Sequence, residues 1–487
     1  MFRTLIVKEI TETVLDLRFA IVTVLFLVLI PLGMYVGRED YERRLANYQR
    51  EHQMYREHYG KNVGASVEAQ GFRHPSPLSI FASGLDPFIP DKAVTSRSGL
   101  VRAVKEPGID NAEALLFGKA DFLFNVSFIV SLAALIFTFN RISGEKERGT
   151  LRAIISNSVR RPELLLAKIV ANYATLLIPF TVALLIALLI LGTSSDISVF
   201  SAEFLSGLAA VLTITFLFIL VMVCLGVCLS TFTHNSIASI MAAFLVWVVF
   251  VLGVPKVSPM IAEVVYPIES RNVASLGQRI AREQIEKEFD QKKRQLYDQC
   301  RAELGLDLNR FSSSPRDETE KKANARYDQE VVAMEAECQR RVTDAVRQLE
   351  QNYRNRRSIQ MSVAVNLSRL SPASCYTYLV ASLSGTGTAA PDAFIRNAER
   401  YRDQVKQTIY DNFVIKRYGG THGGTAVTGR AIEGFDESKA SIPDMEYQYT
   451  TPAQALRAGW MDAFLLVVFA VLFSAVAFVR FNKYDVR

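Results

Sequence analysis

The sequence predicts a mainly α membrane protein with six transmembrane helices, an N-terminal interfacial helix and a large extracytoplasmic domain containing a helical hairpin. Three observations carry this fold class. The chain is 50% hydrophobic yet 21% charged over 487 residues, and its mean hydropathy of +0.16 is too high for an ordinary soluble enzyme and too low for a bare membrane bundle. The two characters are segregated: apolar runs of roughly 18–25 residues, enough to cross about 30 Å of hydrocarbon as a helix, alternate with long polar blocks. Lys and Arg crowd into some loops and are missing from others, the asymmetry that orients a membrane chain. The net charge of +6 matters through that placement and gives no reason to expect a nucleic-acid partner.

Residues 1–18 read as the interfacial helix, with Phe2, Ile6, Ile10, Val14 and Leu17 on one face and Lys8, Thr11, Glu12 and Asp16 elsewhere. A cleaved signal peptide does not fit, because Glu9, Glu12 and Asp16 precede the apolar run and no small-x-small site follows Pro31. Transmembrane helix 1 is expected over 19–36, ending at Pro31, Gly33 and Tyr35. A first extracytoplasmic segment, 37–121, follows, with a charged helical piece at Tyr41–Tyr59. Pro75 and Pro77 forbid a continuous helix and point to an extended stretch.

Transmembrane helices 2–5 fall within 122–254 (Phe122–Phe139, Ile169–Leu191, Phe204–Leu229 and Ile237–Val254), around a charged segment at 141–168. A second extracytoplasmic domain covers 255–459, helix 6 covers 460–481, and 482–487 form a tail. The 141–168 segment holds Arg141, Lys146, Arg148, Arg152, Arg160, Arg161 and Lys168, whereas the Thr193–Glu203 link has no Lys or Arg. The first is therefore expected to be cytoplasmic and the second external. Alternation puts both termini in the cytoplasm, in keeping with Arg3, Lys8, Arg18, Arg480, Lys483 and Arg487, and both polar blocks outside.

Within the second block, Ile285, Phe289, Leu296, Cys300 and Leu304 form one apolar stripe, and Val331, Met334, Cys338, Val342, Ala345 and Leu349 another. Spacing of this kind makes a narrow coiled-coil seam and predicts a hairpin over about 271–357 with its tip at Phe311–Pro315. In such a hairpin Cys300 faces about residue 324, and Cys338 lies about 14 residues further along, roughly 21 Å at 1.5 Å per residue. A disulfide needs Cα atoms within about 7 Å, which argues against a Cys300–Cys338 bridge. An intermolecular bridge, a pairing with Cys375 and free thiols stay open. Tyr376–Leu383 is apolar but too short to cross a bilayer, and is expected at the interface or beneath the hairpin. Phe394–Val414 reads as an amphipathic helix and Gly419–Gly429 as a glycine-rich loop.

Catalytic chemistry is not visible. Gly424–Ala431 has the glycine spacing of a phosphate loop but Arg430-Ala431 where Lys and Ser or Thr are needed. The histidines are scattered, and His52 and His58 do not share a helix face. No Gly-x-Ser-x-Gly or His-Glu-x-x-His element occurs. Cys224 and Cys228 read as buried small apolar residues. Asp462, two residues from Trp460, reads as reaching water. Without a central buried charge, an ion-coupled carrier lacks its usual signature, so energy has to enter from elsewhere.

The charged segment also carries a resemblance. Ser143-Gly144-Glu145-Lys146-Glu147-Arg148-Gly149-Thr150-Leu151, followed by Ser158-Val159-Arg160-Arg161-Pro162-Glu163 and on to Lys168, is similar to the cytoplasmic segment of type-2 ABC exporter permeases. There a Glu-x-x-x-Gly-Thr-Leu element precedes the third span. Pro75–Phe81 with Gly84, Leu370–Ser374 with Gly385-Thr386-Gly387, and Tyr484–Arg487 resemble elements of a subfamily with large extracytoplasmic insertions of unknown function. The resemblance implies a coupling helix that docks on a separate ABC ATPase subunit, with Glu145, Glu147, Arg148, Gly149, Thr150, Leu151, Arg160 and Arg161 as the ATPase-coupling residues. Residues 1–18 would be the family's connecting helix. It also implies a second permease copy or homologous permease, a bacterial inner membrane, and no cofactor or nucleotide site in this chain. The rival reading is a non-transporting, membrane-anchored scaffold whose hairpin binds an envelope protein.

Overall fold

The computed structural model describes residues 2–59, 68–95, 101–104, 119–156, 160–194, 201–303, 318–407, 413–415, 429–431 and 442–484. The expected hairpin tip, most of the glycine-rich stretch, Ser158, Val159 and residues 485–487 lie outside them. Among the described residues, six helices are long and apolar enough to cross a membrane. They are α2 (Leu17–Tyr59), α3, α6 (Arg161–Gly192), α7 (Ala202–Phe232), α8 (Ser236–Val265) and α14 (Trp460–Asn482). Helix α3 is built from Phe122–Phe124 and Ser131–Thr138 around a π-helical stretch, Asn125–Val130. A short α1 (Phe2–Val14) precedes the first span.

The helix of the first span does not end at Val36. Helix α2 runs unbroken through it for 43 residues, because the charged residues beyond Val36 pair within the helix or with its neighbours. Arg38 meets Glu42 at 2.7 Å and Arg44 meets Asp40 at 3.0 Å, both one turn apart, while Lys119 reaches Asp40 at 2.6 Å. Beyond the extended Ser76, Pro77 opens a 3-10 turn, Pro77–Ile80, rather than continuing an extended stretch. The turn buries Leu78, Ile80 and Phe81, and Phe81 joins a chain of rings. Phe81–Phe122 and Phe26–Phe180 meet edge-on at 5.6 and 6.3 Å, and Phe122–Phe180 tilt together at 6.4 Å. Such pairs contribute about 0.5–1.5 kcal/mol each beyond burial, and here they tie α2, α3 and α6 to the turn.

The two polar blocks fold together. Strands β1 (Ala69–Phe72), β2 (Lys92–Thr95) and β3 (Val101–Val104) form an antiparallel sheet in that order, with Ala69 opposite Thr95 and Ala93 opposite Ala103. Helix α12 (Ala390–Val405) from the second block packs on it, its Phe394, Ala398, Tyr401 and Val405 sharing a core with Ala69, Ile89, Ala93 and Met445. This helix starts before the expected Phe394, and the chain has become strand β4 (Phe413–Ile415), paired with β5 (Gly429–Ala431), where helix was expected to continue. The quoted motifs also meet. Gly84 adopts φ +44°, and a Cβ there would lie 2.6 Å from Thr386 Oγ1. That hydroxyl donates to the Ala82 carbonyl at 2.9 Å, and the Leu85 N–H donates to the Thr386 carbonyl at 2.9 Å.

The hairpin is α9 (Arg271–Glu303) against α10 (Glu318–Ser368). Its register is marked by Gln278 donating to Glu350 at 2.9 Å, Arg341 to Glu288 at 3.1 Å and Lys293 to Glu335 at 2.9 Å. These pairs place Cys300 near residue 328 and Cys338 near residue 290, and all five cysteines are free thiols. Tyr376–Leu383 lies in α11 (Pro372–Leu383), which inserts between α7 and α14. Tyr376 is fully buried, stacks on Phe218 at 4.4 Å and shares a hydrogen bond with Thr215 at 3.1 Å. Short α13 (Pro452–Ala458) leads into α14. Asp462 does not reach water. It is 4% exposed and takes two hydrogen bonds from Arg369, at 2.6 and 3.0 Å, because the chain leaving α10 brings that guanidinium back to the start of α14.

Candidate coupling site

The charged segment forms two short helices, α4 (Ser143–Glu147) and α5 (Thr150–Ser156). Gly149 separates them with φ +74° and open space where a Cβ would stand, the left-handed conformation that ends a helix. Pro162 lies in the first turn of α6, where its missing N–H costs nothing.

Helix α4 is joined to different spans through nearly every polar group it carries. The Ile142 and Ser143 N–H groups both donate to Ser230 Oγ of α7 at 3.0 Å. Lys146 Nζ donates to the Thr231 and Thr233 carbonyls at 2.6 and 3.1 Å, filling the acceptors at the end of α7, and sits 5.0 Å from the Tyr484 ring. Glu147 accepts from the Ser236 N–H at 2.9 Å and its hydroxyl at 2.7 Å, at the start of α8, where an anion complements the helix dipole. Glu145 accepts from Lys168 Nζ of α6 at 2.7 Å, and the same ammonium donates to Glu9 of α1 at 2.8 Å.

The sequence-predicted residues therefore divide. Glu145 turns inward and Leu151 is buried. Glu147 is exposed but committed to Ser236, and Arg161 holds the Asn482 and Tyr484 carbonyls at the end of α14. Arg148, Gly149, Thr150 and Arg160 are exposed at the surface, with Arg160 3.9 Å from Glu163. Two partners were missed by sequence reasoning, Lys168 as an anchor and Glu9. A signal existed for Lys168: it shares a helical stripe with Leu164 and Asn172, both buried, and a cation on such a stripe needs a partner. Among the described residues no cluster of His, Cys, Asp and Glu could hold a metal ion.

A family profile described as "ABC-2 family transporter protein" matches residues 3–486. The chain belongs to the ABC-2 transporter family. This ABC-2 protein is also similar to the "Probable multidrug ABC transporter permease YbhS" of Escherichia coli K12 and of Escherichia coli O157:H7, 28% identical over 157 residues with each. The match spans 31% of this chain and 39% of either relative.

Proposed function

We propose that this ABC-2 protein is the membrane subunit of an ATP-driven exporter, in which a separate ABC ATPase subunit hydrolyses ATP and pushes on the turn Arg148–Thr150. The observation that carries the reading is the wiring of α4: the exposed turn stands on a helix tied directly to α6, α7 and α8 and, through Lys168 of α6, to α1. A push there reaches three helices directly and α1 through one buried ammonium. Arg148, Thr150 and Arg160 face the ATPase, where guanidinium groups suit carboxylates of a cleft, while Glu145, Glu147, Leu151 and Arg161 hold the element to the bundle.

In this reading the chain sits in a bacterial inner membrane with both termini and α4–α5 in the cytoplasm, and the sheet unit and hairpin project outside. A second copy or a homologous permease completes the transport path, and this chain contributes no nucleotide site or cofactor. The hairpin, whose α9 alone extends about 50 Å at 1.5 Å per residue, is long enough to meet an envelope protein, so mechanical work outside the membrane is compatible with the same drive. The test is ATP hydrolysis by the co-purified ATPase with permeases in nanodiscs. Arg148→Glu is expected to lower permease-dependent stimulation at least about tenfold, the scale of a coupling free energy, with insertion unchanged. Wild-type stimulation in that variant would overturn the assignment of the turn.

A further inference from the structure

Helix α1 is held in an unusual way. The residues it buries are polar, Glu9 and Thr13, whereas Phe2, Val7 and Val14 are exposed. Apolar exposure of this kind suits the lipid surface. Helix α1 packs along α6, with Leu5 against the core, and its buried ionic tie is Lys168, 1% exposed, whose ammonium takes Glu9 Oε1 at 2.8 Å on one side and Glu145 Oε1 at 2.7 Å on the other. Glu145 Oε2 is buried with no partner, and Asn172, one turn further along α6, turns its amide to the Lys168 carbonyl at 2.7 Å. Arg141, the neighbouring cation, sends its Nε to the Phe137 carbonyl at 2.9 Å.

We propose that Lys168 is a positioning residue for energy coupling: a single ammonium forks between α1 and α4, so that α1 shifts in step with α4 when the ATPase moves it. This rests on the coupling reading above but concerns a different contact. Two carboxylates compete for one buried cation, and a displacement of α4 draws Lys168 and hence Glu9 with it, because separation would leave charges buried without a partner. The surface helix becomes a driven part that presses on the bilayer next to α6.

The test uses the full chain in nanodiscs with its co-purified ATPase subunit, and spin labels at Thr4 on α1 and Arg152 on α5. Wild type should give one narrow distance distribution, and Lys168→Met a broad one. In Lys168→Met the affinity for the ATPase should stay within about twofold while ATP-dependent stimulation falls about tenfold. Lys168→Arg should restore both readouts, and Glu9→Gln, which keeps the Glu145 arm and is the milder variant if Lys168→Met folds poorly, should broaden the distribution and reduce stimulation less. A narrow distribution with unchanged stimulation in either Lys168→Met or Glu9→Gln overturns the proposal. Failure of wild type to engage any ABC ATPase would overturn the coupling reading instead, with the label distributions still deciding whether the fork holds α1.

Discussion

Helix α7 meets two junctions of opposite chemistry. Near its end, at Ser230–Thr233, it is bound to α4 by hydroxyls, an ammonium and carbonyls. Fifteen residues back, at Thr215 and Phe218, it is bound to α11 by a stacked ring and one hydroxyl pair, and Gly207 lies against Leu78 of the 3-10 turn. The first is made of directional contacts that can be broken and remade with small displacements. The second is close packing, which has no graded response because interiors are dense and resist change. The difference separates a part suited to motion from a part suited to holding the spans in register.

The contrast can be broken from the packed side first. Tyr376→Ala removes a fully buried ring and its stacking on Phe218, so thermal unfolding in detergent should show a loss of about 3–5 kcal/mol. Tyr376→Phe, which deletes only the hydroxyl facing Thr215, should cost about 1 kcal/mol. Equal losses would mean that the hydrogen bond rather than the packing holds α11. On the polar side, Lys146→Met uncaps the α7 carbonyls and should cost about 1 kcal/mol, measurable by the same unfolding and by faster amide exchange near Thr231–Thr233.

The smallest effect belongs to the hairpin, whose ion pairs are exposed. Hydrogen bonds from Arg341 and then Lys292 hold the Glu288 carboxyl at about 2 against an ordinary value of 4.5. A depressed carboxylate contributes stability that is present above its unfolded value and lost as pH falls through its folded one. Any difference between wild type and Glu288→Gln should thus be constant from neutral pH to about pH 4.5 and vanish toward pH 2. The difference should be slight, since exposed pairs are screened by water and salt, and one that grew on acidification would reverse the sign of this contact.

The spans were legible because each is apolar along its whole length, and hydropathy alone finds such segments. Partnerships across the chain were not. Asp462 near Trp460 looked like a residue at the water's edge, since nothing local reveals that Arg369, after a hairpin of two long helices, returns beside it. That α2 continues past Val36 without a break was not legible, because Pro31, Gly33 and Gly37 are helix-stopping signals in isolation, while the pairs that carry α2 onward, Arg38 with Glu42 and Arg44 with Asp40, stabilise only a helix already present. In the 141–168 segment the residue types were legible but their directions were not. Glu145 and Glu147 lie two positions apart and so face different sides of α4, one toward Lys168 and the other toward Ser236.

The unbroken α2 has a mechanical consequence. At 43 residues it is a rod of about 64 Å, roughly twice the hydrocarbon thickness, and its far half is bolted to the sheet unit. Arg44 bonds Asp86 at 2.7 Å, Tyr55 accepts from the Gln70 N–H at 3.0 Å, and His52 and Arg56 hold Asp444. A rod this long magnifies angle into distance: tilting it by about 5° about its α1 end swings the other end by about 6 Å over the same length. A sub-ångström adjustment beside α1 is enlarged in proportion to the lever arm, and the sheet, with α12 packed upon it, is the load carried at the far end.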